Sequence, residues 1–347
     1  MRYHGAMHEA IFRGDSSLMA GQLLVIGFEG EKYTRELGTF FQKIKPAGAI
    51  LFSRNIRDAA QTRILTGDIS RLIEDITNTP AIICLDQEGG RVSRLPGERF
   101  PTARELFLQG GENLVEENYR TMGEKMAGLG FNLNFAPVLD MDTNPINPII
   151  GDRAFGPDKE TVITMAAAAR RGLDAANILS CAKHFPGHGG ADKDSHVELP
   201  VDPRPSERIL EQELAPFAAW AKDQGPFVMT AHVAYPALDK AMLPATLSKP
   251  IVTGLLRERL EYQGVVITDD MDMKALADNY DDREAAMMAL EAGCDIILSC
   301  RDPRRIAAIH ETIRGAFDGA LPEEEMRGKL ARVLNIKNND GTMRVAR

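Results

Sequence analysis

Eight short apolar runs alternate with longer amphipathic segments along this chain, and this alternation constrains the fold more than any other feature. The runs are partly β-branched, which is typical of parallel strands that are buried on both faces. They occupy Gln22–Gly27, Ala49–Ser53, Ala81–Leu85, Asn132–Ala136, Ile178–Ala182, Phe227–Ala231, Val265–Thr268 and Asp295–Ser299. Strands that alternate with helices predict a parallel sheet.

The segments between the runs have the length and patterning of helices. They lie at Glu31–Lys45, Ala59–Ile76, Glu112–Leu129, Lys159–Ala176, Ser206–Lys222, Lys249–Leu260, Arg283–Ala292 and Pro303–Phe317. A (β/α)8 barrel typically needs about 250 residues, so the 347 residues present accommodate eight repeats. We therefore predict an α/β fold in which residues 1–347 form a single (β/α)8 TIM-type barrel, with a C-terminal helix at Glu323–Asn335 and a short polar tail.

Polar side chains directly follow four of the apolar runs. These are Asp86, His184, His232 and Asp269. The carboxyl ends of barrel strands face one common mouth, where such side chains converge, whereas a doubly wound open sheet spreads them along a rim. The placement favours the barrel, and the open sheet is the alternative.

Charge and hydropathy limit the classes of partner. The formal net charge is −9, which argues against nucleic acid and against an anionic membrane surface as partners. No apolar run approaches the length needed to cross a bilayer. The first nine residues lack the apolar core of a signal peptide. We therefore expect a cytoplasmic protein whose partner is a small molecule.

The richest polar stretch in the sequence runs from Lys183 to His196. An apolar run ends at Lys183 and His184, and a loop punctuated by Gly and Pro then leads to Asp194 and His196. A carboxylate two residues from an imidazole can orient it and raise its basicity. This pattern indicates a catalytic loop.

A metal site is an alternative interpretation of the same stretch. His184, His188 and His196 are spaced by four and eight residues. Histidine ligands with such spacing usually lie on a helix, however, and this segment is a loop. We expect no metal and no cofactor.

Asp269 is a candidate nucleophile. It follows the apolar run Val265–Thr268, and a carboxylate at the end of a buried strand is rigid and partly desolvated, as a covalent nucleophile requires. Asp270 and Asp272 leave the choice open, although the period of two in extended chain points Asp270 away from Asp269. An acidic N-cap cluster for the following helix is the alternative.

Four motifs in this sequence resemble those of the β-N-acetylglucosaminidases of glycoside hydrolase family 3. The first is Lys-His-Phe-Pro-Gly-His-Gly, followed after four residues by Asp-Ser-His. The others are Asp86–Arg94, Gly151–Gly156 and Thr268–Met271, in the family's order, and together the motifs cover about residues 20–300.

The resemblance implies a role for each matching residue. Asp269 is then the nucleophile, and His196 with Asp194 forms the acid/base dyad. The loop that carries the dyad is expected to move, with Gly187, Gly189 and Gly190 as hinges. The positions that bind sugar hydroxyls in the family correspond here to Asp86, Arg94, Arg153, Lys183 and His184.

The function expected from the resemblance is that of a retaining exo-β-N-acetylglucosaminidase. It would remove terminal N-acetylglucosamine from peptidoglycan fragments (muropeptides) or related β-linked oligosaccharides through a covalent glycosyl-enzyme. A β-glucosidase and a glycoside phosphorylase are alternatives on the same barrel. A metal-dependent hydrolase and a catalytically silent sugar-binding barrel are alternatives of other classes. No obligate protein partner is indicated.

Overall fold

The computed structural model describes residues 11, 15–97, 99–191, 193 and 199–338. Within them, eight parallel strands form a closed barrel in sequence order, with the last strand paired to the first. This confirms the predicted (β/α)8 barrel, and the open-sheet alternative is wrong. The strands are β1 (Leu24–Ile26), β2 (Gly48–Ile50), β3 (Ile82–Leu85), β4 (Leu133–Asn134), β5 (Leu179–Phe185), β6 (Phe227–Thr230), β7 (Val265–Asp270) and β8 (Ile296–Ser299).

Helical segments separate the strands. The α-helices are Ser16–Gly21, Arg35–Ile44, Ala59–Thr77, Ala103–Gly128, Lys159–Ala175, Ser206–Arg208, Leu214–Lys222, Lys274–Ala277, Asp282–Ala292, Pro303–Gly315 and Glu323–Asn338. Wider π-helical turns occupy Ile209–Glu213, Pro250–Arg259 and Ala316–Ala320. Tight 3₁₀ turns occupy Ser53–Asn55, Gly151–Arg153 and Ala245–Leu247.

One helix begins well before its predicted start. The sequence predicts Glu112 as the first residue, but the helix starts at Ala103, where the Thr102 hydroxyl and the Glu105 carboxylate cap each other's backbone N–H groups. Gly111 interrupts it with φ 59° and ψ −144°. Because of this break, the residues before Gly111 do not continue the apolar periodicity of the rest of the helix, and the sequence pattern did not predict them as helical.

The strands are buried on both faces, as their apolar sequences predict. All residues of β1 to β6 and β8 are buried, including Lys183 and His184 in β5, whereas the last two residues of β7 are partly exposed. The four cysteines are buried free thiols. Polar groups in such strands therefore lie within the barrel and its mouth.

The C-terminal helix closes the amino-terminal end of the barrel. Lys337 donates hydrogen bonds to Gln22 Oε1 (2.6 Å), Thr79 Oγ1 (2.8 Å) and the carbonyl of Ala47 (3.2 Å), in segments that precede the first three strands. The predicted helix at the end of the chain is confirmed, and residues 339–347 of the predicted tail lie outside the described residues. Among the helices described, none is long and apolar enough to cross a membrane.

Candidate active site

The carboxyl ends of β3 and β5 bring two predicted sugar-binding residues together. Lys183 Nζ lies 2.7 Å from Asp86 Oδ1, although 97 residues separate them in the sequence. The Lys183 side chain is 2% exposed and that of Asp86 is 21% exposed. The lysine is thus fixed inside the barrel, while the carboxylate reaches the mouth.

Glu88 joins this pair to a third predicted residue, Arg153. Its carboxylate accepts hydrogen bonds from Nε and Nη2 of Arg153 at 2.7 and 2.8 Å. Its Oε1 also lies 2.6 Å from Lys183 Nζ. Burial acts to raise the pKa of Glu88, but the positive charges of Arg153 and Lys183 outweigh it and hold the pKa well below its usual range. The four groups form a balanced cluster of two cations and two anions, in which Asp86 is the most exposed member. No role was predicted for Glu88, although it lies within the Asp86–Arg94 motif.

His184 is held by a carboxylate that the sequence interpretation missed. Its Nδ1 lies 2.6 Å from Asp140 Oδ2, and Asp140 Oδ1 accepts the backbone N–H groups of His184 and His188 at 3.2 and 2.6 Å. Burial acts to raise the pKa of Asp140, but the adjacent His184 outweighs it and lowers the pKa. A carboxylate accepts hydrogen bonds, so Nδ1 carries a proton and Nε2 is left to contact a ligand. Asp140 lies only four residues past a predicted strand, which is the signal that could have found it.

Arg94 lies on the loop after β3, where Gln87 fixes the backbone. The N–H groups of Arg94 and Leu95 donate to Gln87 Oε1 at 2.7 and 3.0 Å, and the N–H of Gln87 donates to Asn134 Oδ1 at 3.0 Å. Arg94 Nε is buried and has no hydrogen-bond partner among the described residues. These backbone contacts fix the position of Arg94, and its role in sugar binding stays a prediction.

The glycine-rich segment after β5 is closely packed. Asn147 Nδ2 donates to the carbonyl of His188 at 2.9 Å, and the Tyr235 hydroxyl donates to that of Gly187 at 2.9 Å. A Cβ on Gly189 would collide with the carbonyl of Met141. Close packing therefore requires glycine at residue 189 whether or not the loop moves, and the hinge role stays a prediction.

The predicted dyad, Asp194 and His196, lies outside the described residues. Its role therefore stays a prediction. The same holds for the metal alternative, since His196 is one of its three histidines. In the part of the chain that the structure describes, no group of three or more His, Cys, Asp or Glu side chains could hold a metal ion.

Asp269 lies where β7 departs from regular strand pairing. The register between β7 and β8 shifts between Ile267 and Asp270, and such irregularities redirect side chains next to active sites. Asp269 Oδ1 accepts the N–H of Asp270 at 2.8 Å. The carboxylate is therefore braced by its own backbone at the mouth.

The neighbouring carboxylates, Asp270 and Asp272, also accept backbone N–H groups. Asp270 Oδ1 accepts the N–H of Asp272 at 3.0 Å, and Asp272 Oδ2 accepts the N–H groups of Cys300 and Arg301, both at 2.7 Å. Burial and the Asp272 charge raise the pKa of Asp270 to about 7, which disfavours a nucleophilic carboxylate. Neither group caps the following helix, Lys274–Ala277, which has no side-chain cap. The N-cap interpretation is therefore wrong.

A closed parallel barrel with carboxylates and buried cations at the carboxyl ends of its strands is typical of barrel glycoside hydrolases. The chain belongs to glycosyl hydrolase family 3, because residues 18–336 match the model of that family's N-terminal domain.

Several bacterial proteins are similar to this chain. A β-hexosaminidase from Bordetella pertussis is 41% identical over 264 residues, with 73% of each chain covered. Beta-hexosaminidase A from Pseudoalteromonas piscicida is 33% identical, with 87% of this chain and 55% of that protein covered. The solved family 3 β-N-acetylglucosaminidase from Paenibacillus sp. FPU-7 is 37% identical with a TM-score of 0.88, and the match covers 92% of this chain and 62% of that one. The chain thus spans less than two thirds of the length of the last two.

Proposed function

We propose that this protein is a retaining exo-β-N-acetylhexosaminidase. The observation that carries the proposal is the position of Asp269 at the barrel mouth, with its neighbouring carboxylates engaged elsewhere. The buried cluster of Asp86, Glu88, Lys183 and Arg153 supports it, because the cluster presents fixed polar groups at the same end of the barrel. The names of the similar proteins favour an N-acetylated amino sugar as the substrate.

The proposed reaction has two displacements at the anomeric carbon. In the first, an Asp269 oxygen forms an ester bond to that carbon while the glycosidic C–O bond breaks, and His196 gives its proton to the leaving oxygen. In the second, His196 takes a proton from water as the water oxygen displaces Asp269. Two inversions give net retention. Asp194 orients the imidazole and stabilises its charged form.

The predicted sugar-binding residues have complementary hydrogen-bonding capacities. The Asp86 carboxylate accepts from hydroxyl groups, and the Arg94 guanidinium donates to hydroxyl or acyl oxygens. His184 Nε2 accepts from a hydroxyl when Nδ1 donates to Asp140. Lys183 and Arg153 keep the local charge fixed, because Glu88 and Asp86 balance their two positive charges.

The proposed substrates are oligosaccharides that end in β-linked N-acetylglucosamine, including muropeptide fragments, and we propose that they are cleaved in the cytoplasm. No metal, cofactor or second protein takes part in the proposed steps.

Substrate choice and mechanism are tested together. We expect turnover of 4-nitrophenyl N-acetyl-β-glucosaminide to exceed that of the matching β-glucoside by at least about 100-fold, equivalent to about 2.7 kcal/mol of transition-state binding. A chelator and added phosphate should both leave the rate unchanged. Preference for the glucoside would indicate a β-glucosidase, acceleration by phosphate a phosphorylase, and loss with chelator a metal-dependent hydrolase. Binding without turnover would indicate a silent sugar-binding barrel.

The nucleophile is identified by trapping. A 5-fluoro N-acetylglucosaminyl fluoride should leave its sugar ester on Asp269, as read by peptide mass spectrometry. An ester on Asp270 or Asp272 would contradict the assignment. Proton NMR of the first-formed sugar should show the β anomer, and an initial α anomer would contradict the two-displacement mechanism.

A further inference from the structure

We propose that His232 is a positioning residue for the nucleophile, a role that rests on the proposed function of Asp269. His232 holds the backbone of Asp270, and the N–H of Asp270 in turn holds the Asp269 carboxylate. In this scheme His232 acts on the nucleophile through the main chain of Asp270.

The imidazole of His232 is fully buried and is bonded at both nitrogens. Nε2 lies 3.1 Å from the carbonyl oxygen of Asp270, and Nδ1 lies 2.7 Å from Thr246 Oγ1. Thr246 Oγ1 lies in turn 2.9 Å from Thr230 Oγ1. The ring is thus the middle of a hydrogen-bonded chain that runs from β6 to the end of β7.

The chemistry of the partners decides where the proton lies. A carbonyl oxygen only accepts hydrogen bonds, so Nε2 of His232 must donate to Asp270. In the neutral ring Nδ1 then accepts, and the Thr246 hydroxyl donates to it. Thr246 Oγ1 is also 3.1 Å from the carbonyl of Ala231, but the shorter distance is to the imidazole. The partners of the ring therefore fix the tautomer in which Nε2 of His232 carries the proton and donates it to the Asp270 carbonyl.

The hydrogen-bonded ladder between β6 and β7 stops before the end of β7, where Asp269 and Asp270 lie. The pairing of β6 with β7 ends at Met229 and Ile267, so residues 268–270 extend beyond the β6 ladder. On the β8 side the pairing is irregular, and the hydroxyl of Thr268 accepts the N–H of Leu298 at 3.0 Å. His232 supplies from the β6 side a hydrogen bond that the ladder does not provide.

This bond matters because nucleophilic attack depends on position. A displacement of about 1 Å can cost about 100-fold in rate. Asp269 Oδ1 is held by the N–H of Asp270, so a shift of residue 270 moves the carboxylate with it. Loss of the His232 bond should therefore slow the first displacement and leave substrate binding nearly unchanged.

The experiment compares His232→Leu, His232→Gln and His232→Asn. The Gln side chain places an amide N–H close to the position of Nε2, whereas the shorter Asn side chain places its amide near Nδ1 and does not reach Asp270. His310→Leu is the matched control, because His310 is also buried and its Nε2 lies 2.9 Å from the carbonyl of Ser17, away from the mouth. The readouts are the rate at which Asp269 is trapped by the 5-fluoro sugar fluoride, KM and kcat for the aryl glycoside, and Tm.

We expect His232→Leu and His232→Asn to lower the trapping rate by about 10- to 100-fold, with KM changed less than about 3-fold. His232→Gln should recover most of the loss, and His310→Leu should lower Tm without slowing trapping. If the Leu variant does not fold, the Gln and Asn pair decides the matter alone. Trapping at the wild-type rate in the Asn variant would overturn the proposal. Failure of the proposed function is distinct, because the unmodified protein would then neither cleave the N-acetylglucosaminide nor be labelled.

Discussion

Glu88 and Lys183 form a buried ion pair in which the carboxylate oxygen lies 2.6 Å from the ammonium nitrogen. The same carboxylate binds Arg153 through two hydrogen bonds. Lys183 and Arg153 are thus held from inside the barrel before any substrate arrives. Asp86, which also bonds Lys183, is the member of the cluster that reaches the mouth.

The Glu88→Gln variant should be strongly destabilised. It leaves two buried cations opposite a single carboxylate, and breaking a buried ion pair by removing one partner typically costs about 3–5 kcal/mol. Glu323→Gln is the control, because Glu323 pairs with Arg327 on an exposed helix surface, where such pairs contribute about 0.2–1 kcal/mol. Chemical denaturation gives both values. Equal losses in the two variants would show that the buried cluster adds nothing.

The Asp140→Asn variant should reverse the tautomer of His184. An Asn amide that donates to Nδ1 shifts the ring proton to Nε2, so the nitrogen left for the ligand changes from acceptor to donor. We expect about a 10- to 100-fold loss in kcat/KM, equivalent to about 1.4–2.7 kcal/mol, and a changed imidazole ¹⁵N NMR signature. Asp142→Asn is the control, because Asp142 lies two residues from Asp140 and pairs with Arg104 of the helix Ala103–Gly128. An unchanged ¹⁵N spectrum in Asp140→Asn would refute the tautomer assignment.

The His196→Ala substitution should slow the cleavage of each substrate in proportion to the basicity of its leaving group. A sugar alkoxide needs a proton and a dinitrophenolate does not, so natural disaccharides should lose about 10²–10⁴-fold more than the activated aryl glycoside. Asp194→Ala should show the same trend more weakly, because it removes the orienting partner and leaves the acid. Burst kinetics isolate the first displacement. Equal losses on both substrates would restrict His196 to binding.

The free energy of unfolding should rise with pH because the pKa of His188 is lowered in the folded protein. Burial and the neighbouring His184 lower the pKa of His188 to about 4, whereas it is about 6.5 in the unfolded chain. Between these values the unfolded state binds more protons, so the free energy of unfolding increases with pH across this window. Replacing His188 by Gln should remove about 2–3 kcal/mol of that rise. The measurement is chemical denaturation at several pH values from about 4.5 to 7.5, and an unchanged slope in the variant would contradict the assignment.

Asp270 provides an internal comparison with the opposite sign. Its pKa is raised to about 7, so between about pH 4 and 7 the unfolded state binds fewer protons, and this group lowers the free energy of unfolding as the pH rises. The Asp270→Asn variant should therefore show a steeper rise with pH than the unmodified protein. An unchanged rise would show that Asp270 is ionised in the folded protein throughout this range.

The sequence by itself determined the barrel and some of the residues at its mouth. Apolar runs of strand length, separated by helical segments, encode local structure, and their alternation leaves few topologies. Because parallel strands share one carboxyl end, Asp86, His184 and Asp269 could be assigned to the same mouth from their positions alone. The early start of the helix at Ala103 was missed because a glycine break is a local exception to helical periodicity.

Only the tertiary structure decided which of these groups pair. Arg153 and Glu88 are 65 residues apart, and Lys183 and Asp86 are 97 apart. Sequence periodicity reports only on residues a few positions apart. An ion pair or hydrogen bond between distant residues depends instead on distances of about 3 Å, which closure of the barrel fixes. The contacts of Asp140, Glu88 and His232 are set at that level, because burial makes an unpaired charge or donor costly and the closed barrel brings partners to each of them.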